Sequence, residues 1–205
     1  RSLPGWLAAS TAMDALTHAV EALTSVMAQP ICDGQALHAI RLIREHLPRV
    51  LSGEGEEAER NTVQIAATMA GWAFTVAQVG LAHGMAHTLG VYYGVPHGAA
   101  CGILLPHVMR FNLDYASDKL ALAAPALGVD TAGKSEREAA LAAAEAMQEF
   151  MGRVSHPLRL REMGIPEEED LGLLAMHALP DAATLFNARP VNDPQEIQEI
   201  YKQAQ

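Results

Sequence analysis

Apolar residues recur at three- and four-residue spacing from Trp6 to Met27, with neither Pro nor Gly between, and this pattern predicts a first helix. Pro30 ends it. Ile31 to Leu47 reads as a second helix, with Ala36, Ile40, Ile43 and Leu47 as its apolar face and Arg41, Arg44 and Glu45 turned to solvent. Glu56 to Val79 predicts a long helix whose acidic first turn suits the helix macrodipole. Its second half, ATMAGWAFTVAQVG, is apolar all round and predicts a central position. Gly80 breaks the pattern, and Leu81 to Val91 makes a short helix. A turn at Tyr93-Gly94-Val95-Pro96 follows, then a helix from Gly98 that Pro106 kinks or ends. Leu113 to Leu127, Ser135 to Val154, Glu167 to Leu179 and Asp193 to Ala204 complete the helical segments. Ser135-x-x-Glu138 and Asp193-x-x-Glu196 have the form of N-terminal capping boxes, and Pro194 takes a favoured first helical position. No alternating strand pattern and no internal repeat is visible. The linkers are short, so the chain reads as one compact all-α unit.

Composition agrees with helices. Half of the residues are hydrophobic but only 5% are aromatic, and Ala and Leu dominate. At 205 residues the chain is long enough for a substantial core. A net charge of −10 without any basic stripe argues against nucleic-acid binding. No apolar run approaches the ~18 residues of a membrane span. Cys32 and Cys101 lie far apart, at no metal-binding spacing, and read as buried free thiols in a reducing compartment. With no signal-peptide pattern visible, the expected location is cytoplasmic. The opening RSLPG reads as a linker into a helix, and a preceding segment is expected.

The chemistry concentrates between Gly80 and Asn112, where His83, His87 and His97 sit among glycines and apolar residues. Gly84, Gly90, Gly94 and Gly98 permit close backbone approach and positive φ there. A second cluster, Asp14-Ala-Leu-Thr-His18, places a carboxylate and an imidazole on one helix face, one turn apart. The apolar neighbours Ala15, Leu16, Ala19 and Val20 bury it, and a buried carboxylate needs a cation or several donors. One carboxylate with several imidazoles suits Fe(II), Zn(II), Co(II) or Ni(II). By spacing alone His83 and His87 form a chelating pair at i, i+4, and His97 folds back after the turn. Spacing leaves open which three of the four histidines bind, and a polar core network is the competing reading. His38, His46, His107, His156 and His177 are isolated and read as surface or hydrogen-bonded structural residues.

Three stretches carry a resemblance to a known family: MDALTHAVEA from Met13 to Ala22, AGWAFTVAQVGLAHGMAHTLG from Ala70 to Gly90, and VPHGAACGILLPHVMRFN from Val95 to Asn112. The end, with GIPEEEDL, ARP and EIQEIYKQA, fits as well. The sequence resembles the C-terminal domain of the iron-dependent (group III) alcohol dehydrogenases over nearly its whole length. The resemblance implies an all-α, dehydroquinate synthase-like helical domain, spanning 1–205 as one metal-binding catalytic unit. It implies Asp14, His18, His83 and His97 as metal ligands, in place of the His83/His87 chelate. His87 would line the cleft beside the metal and nicotinamide as a proton relay, and Phe74 would lie beside substrate and nicotinamide. The implied cofactors are Fe(II), with Zn(II) as a substitute, and NAD or NADP.

Two departures from the family pattern are small: Ala12 where a Gly is usual, and Ala188 where a Pro usually follows the Asn. The large departure is that no glycine-rich phosphate loop after a strand is found, so the family's N-terminal α/β nucleotide domain is absent from this sequence. The expected function is hydride transfer between a small alcohol or aldehyde and NAD(P), with the chain alone inactive. Glycerol dehydrogenase-like and maleylacetate reductase-like enzymes, and a non-catalytic metal-binding fragment, are the alternatives. Self-association through an exposed domain interface is a further expectation.

Overall fold

A computed structural model describes residues 3–205 and contains, among them, nine α-helices, two 3-10 turns and no strand. The helices are α1 (Gly5–Thr24), α2 (Pro30–Ser52), α3 (Glu57–Ala77), α4 (Leu81–Tyr93), α5 (His97–Phe111), α6 (Leu113–Ala126), α7 (Glu136–Arg153), α8 (Gly172–Ala178) and α9 (Pro194–Ala204). The linker expected at RSLPG falls partly on Arg1 and Ser2, which lie outside the described residues. Pro4 caps α1.

The middle and end of α1 are buried on every side, and α2, α3 and α5 pack around it. On α2 the face predicted from Ala36, Ile40, Ile43 and Leu47 is fully buried. Pairs α6·α7, α4·α5, α4·α8 and α8·α9 extend the same core. No single helix among the described residues is long and apolar enough to cross a membrane.

Local capping follows the sequence closely in one place. Ser135 and Glu138 form a complete capping box at the start of α7. At α9, Asp193 caps through Gln195 N–H, but Glu196 turns to Arg189 at 2.6 Å instead of closing a box.

The structure corrects four expectations. The second helix, expected to stop at Leu47, runs through Pro48 to Ser52, and Pro106 does not end α5, which continues to Phe111. A Pro removes a single ladder bond, and packing on α1 and α4 keeps α5 continuous across that gap. Residues 167–171 are not helical, and α8 covers only Gly172–Ala178, with two unforeseen 3-10 turns at Leu160–Met163 and Thr184–Phe186. The second half of α3 is not central. Its small residues Ala70, Ala73 and Ala77 face the core, while Trp72 is 69% and Val76 48% exposed. Hydropathy counted the large side chains as core, but alanines make the close contact with α1 and α2.

The contact between α5 and α1 has almost no slack. A Cβ added at Gly98 would overlap the backbone carbonyl of Ser10. Two helix backbones cannot both yield, so Gly98→Ala is expected to cost about 3 kcal/mol or more. Thermal melting followed by circular dichroism should then show a fall of roughly 6–12 °C for a domain this size. An unchanged midpoint would show that α5 can shift.

Candidate metal centre

Asp14 and His18 stand one turn apart on α1, His83 lies in the first turn of α4, and His97 is the first residue of α5. Packing of α5 on both α1 and α4 brings the three segments to one point. Asp14 Oδ1 is their common neighbour, 3.4 Å from His97 Nε2, 3.5 Å from His83 Nε2 and 3.9 Å from His18 Nε2. These separations are too long for good hydrogen bonds. They match donors that share an ion: ligands ~2.0–2.1 Å from one metal lie ~3.3 Å apart at a tetrahedral angle and ~4 Å apart when opposite. Asp14 Oδ1 and His83 Nε2 are buried with no hydrogen-bond partner, which is costly unless a cation serves them. The donor set therefore fits a divalent ion.

The electrostatics of the metal-free cluster follow from burial and mutual charge. Burial alone would raise the Asp14 carboxyl, yet the His83, His97 and His18 rings hold it well below the usual carboxylate range. Burial would lower His83, but the nearby Cys101 sulfur, the Asp14 carboxylate and the hydrogen bond to Glu21 push it up to about 12. The adjacent Asp14 carboxylate, with the Cys101 sulfur, raises His97 to about 10. Burial, with the charge on His83, pushes His18 down to about 4. The cluster thus holds one carboxylate between two imidazolium rings, beside one neutral imidazole.

His18 is sandwiched between Phe74, at 4.3 Å, and His83, at 4.5 Å between ring centroids. Phe74 therefore fixes the His18 ring plane. His87 does not converge with the others: its Nδ1 faces Asp181 Oδ2 at 2.9 Å, and its ring stacks on His97 at 5.5 Å. The pairing needs Gly84, because a Cβ there would overlap Thr184 Oγ1 and press on the segment that carries Asp181. His87 and His97, with side chains 45% and 43% exposed, form the open side of the cluster.

Three neighbours escaped the sequence reading. Glu21, on α1, receives His83 Nδ1 at 2.6 Å. Its signal was the Asp14, His18, Glu21 spacing, which continues one helix face. Cys101 is buried and free, as expected, but it is not remote from the site: its Sγ lies 3.5 Å from His97 Nε2, within a group that also includes Asp14 and His83. The spacing His97-x-x-x-Cys101 was the available signal. Asp181, distant in sequence from His87, gave none. His38 pairs with Arg41, His156 is buried against Pro157 O, and His177 lies beside Tyr92, all outside the cluster. Burial, with the Arg110 and Arg159 charges nearby, lowers His107 to about 4.

An all-helical fold that gathers one carboxylate and three imidazoles from three separate segments defines a candidate divalent-metal domain. Residues 8–205 match the model of the Fe-containing alcohol dehydrogenase family, C-terminal. The chain belongs to that family. It is 41% identical over 201 residues to 1,3-propanediol dehydrogenase of Citrobacter freundii, covering 98% of this chain and 51% of that protein. It is 38% identical over 202 residues to lactaldehyde reductase of Escherichia coli (strain K12), covering 98% and 52%. The crystal structure of a 1,3-propanediol oxidoreductase superposes with a TM-score of 0.95 at 39% identity, over 100% of this chain and 53% of that one. An alcohol dehydrogenase from Oenococcus oeni gives 0.93 at 36% identity, over 99% and 52%. The chain spans about half the length of the curated relatives it matches.

Proposed function

We propose that this chain is the metal-binding catalytic domain of an NAD(P)-linked dehydrogenase acting on a small alcohol or aldehyde, with Asp14, His18, His83 and His97 as ligands. The observation that carries this reading is the convergence of three imidazole nitrogens on the partnerless Asp14 Oδ1 in a chain of this family. Relatives are named as NAD-dependent methanol dehydrogenase and NADPH-dependent butanol dehydrogenase, which supports the cofactor class without choosing between its members. Fe(II) is the proposed ion and Zn(II) its substitute, because this donor set does not favour iron by affinity.

A bound divalent ion there supplies Lewis-acid chemistry at an alcohol or carbonyl oxygen. Asp14 contributes one negative charge and the neutral imidazoles none, so the site remains electron-poor. Phe74 holds His18 flat and closes one wall with an apolar face. Asp181 accepts from His87 Nδ1, which leaves His87 Nε2 to pass a proton between the cleft and solvent. Asp181 is itself fixed by the Ala183 N–H at 2.9 Å. The described residues contain no strand leading into a glycine-rich turn, so the nucleotide phosphates are assigned to the half of the relatives that this chain does not span.

Elemental analysis of the purified chain should find about one divalent ion per molecule. With NAD(P)H and a small aldehyde the chain alone should show no steady turnover, since unfixed nucleotide forfeits much of the ~7–11 kcal/mol available from positioning. Supplying the α/β half of a relative, fused or in trans, should restore activity. A joined protein that binds metal and nucleotide yet reduces no aldehyde would overturn the dehydrogenase assignment.

A further inference from the structure

Glu21 lies outside the proposed ligand set yet is among the most buried charges in the molecule, with a side chain only 3% exposed. It sits one turn beyond His18 on α1 and meets the first turn of α4. Three donors converge on its carboxylate: Gly80 N–H at 2.9 Å, Ala82 N–H at 2.6 Å, and His83 Nδ1 at 2.6 Å. A carboxylate accepts only, so His83 Nδ1 carries the proton in this contact and Nε2 is the atom presented to Asp14. The two backbone donors lie at the start of α4, where a negative charge is favoured; Gly80 N–H shares Oε2 with His83 Nδ1, and Ala82 N–H holds Oε1. Glu21 can neither rotate nor release His83 without exposing buried donors.

We propose that Glu21 is a positioning residue for the metal centre: it sets which nitrogen of His83 faces the ion, holds the ring plane, and strengthens Nε2 as a donor. The inference rests on the metal reading given above. Its physical basis is general: a histidine ligand whose other N–H is held by a carboxylate is oriented and made more basic, and losing that partner weakens metal binding by about 10–100-fold.

The competing role is a plain helix cap. Asn187 provides the comparison, because its Oδ1 accepts Leu81 N–H at the same helix end, at 3.4 Å, without touching His83. Zn(II) dissociation constants of the 205-residue chain would be measured by competition with a chromophoric chelator, for wild type, Glu21→Gln and Asn187→Ala, alongside melting of the metal-free proteins. Glu21→Gln is expected to bind Zn(II) about 10–100-fold more weakly. Asn187→Ala is expected to melt earlier but to bind as the wild type does. Equal weakening in both variants, or in neither, overturns the proposal. Nitrogen-15 NMR of the Zn(II)-loaded wild type supplies a second readout that capping alone would not move, and it does not depend on either variant folding. His83 should bind through Nε2 and show a slowly exchanging, far-downfield Nδ1 proton. Binding through Nδ1, or the absence of that proton, overturns it as well. A wild-type chain with no affinity for Zn(II) would instead refute the metal reading itself, so the two failures are distinct.

Discussion

His83→Ala is expected to combine a large loss of metal affinity with the largest loss of stability of any single change at the site. Shared among four donors, the ~10–16 kcal/mol typical of a structural zinc site amounts to ~2.5–4 kcal/mol each, or about 10²–10³-fold in Kd. His97→Ala should weaken binding by a similar factor. The two variants should differ in the metal-free state. His83 is buried beside Glu21, and removing it strands a carboxylate that is 3% exposed, whereas His97 is 43% exposed and leaves no comparable debt of solvation. Breaking one partner of a buried charged pair costs ~3–5 kcal/mol. Metal-free His83→Ala should therefore melt roughly 6–20 °C below wild type, with His97→Ala close to wild type. His87→Ala should keep its metal, because its ring is committed to Asp181. Full metal content in His97→Ala, with loss in both His83→Ala and His87→Ala, would mean that the i, i+4 chelate read from spacing is the true site.

That contrast marks where the sequence was legible. Helical periodicity alone put Asp14 beside His18, and the long glycine-histidine motif put His83 near His97, because both relations are local. The choice between His87 and His97 was not local. It depends on Asp181 drawing His87 aside and on Gly84 admitting the segment that carries Asp181. Only the family resemblance carried that information. The core was read well where large side chains filled it, as on α2, and badly on α3, where alanines form the contact and Trp72 faces out. Hydropathy ranks residues by size and apolarity; close helix packing selects for smallness. Pro106 misled for a related reason. A breaker rule weighs one missing hydrogen bond, whereas burial of Ile103, Leu104, Leu105, Val108 and Met109 on both sides of Pro106 holds α5 in one piece.

Metal uptake should release about two protons per ion near neutral pH, and its apparent affinity should climb steeply with pH. The sign follows from the metal-free cluster. His83 and His97 have values raised to about 12 and about 10, so at pH 7 each holds a proton on the nitrogen that faces Asp14. Coordination through Nε2 displaces both. His18, lowered to about 4, is already neutral and contributes none. Between about pH 4 and pH 10 the association constant should rise about 100-fold per pH unit, two protons giving a slope of two on a logarithmic plot. Below His18's value a third proton competes and the slope steepens; above His97's value it falls towards one. Calorimetric titration with Zn(II) in two buffers of different ionisation enthalpy measures the proton count directly. A count near zero at pH 7.5 would mean that both rings are neutral before the ion arrives. The Asp14 charge would then have no imidazolium to balance it, and its depressed value would need another cation. A count near two, lost in part in His97→Ala, ties the released protons to the proposed ligands.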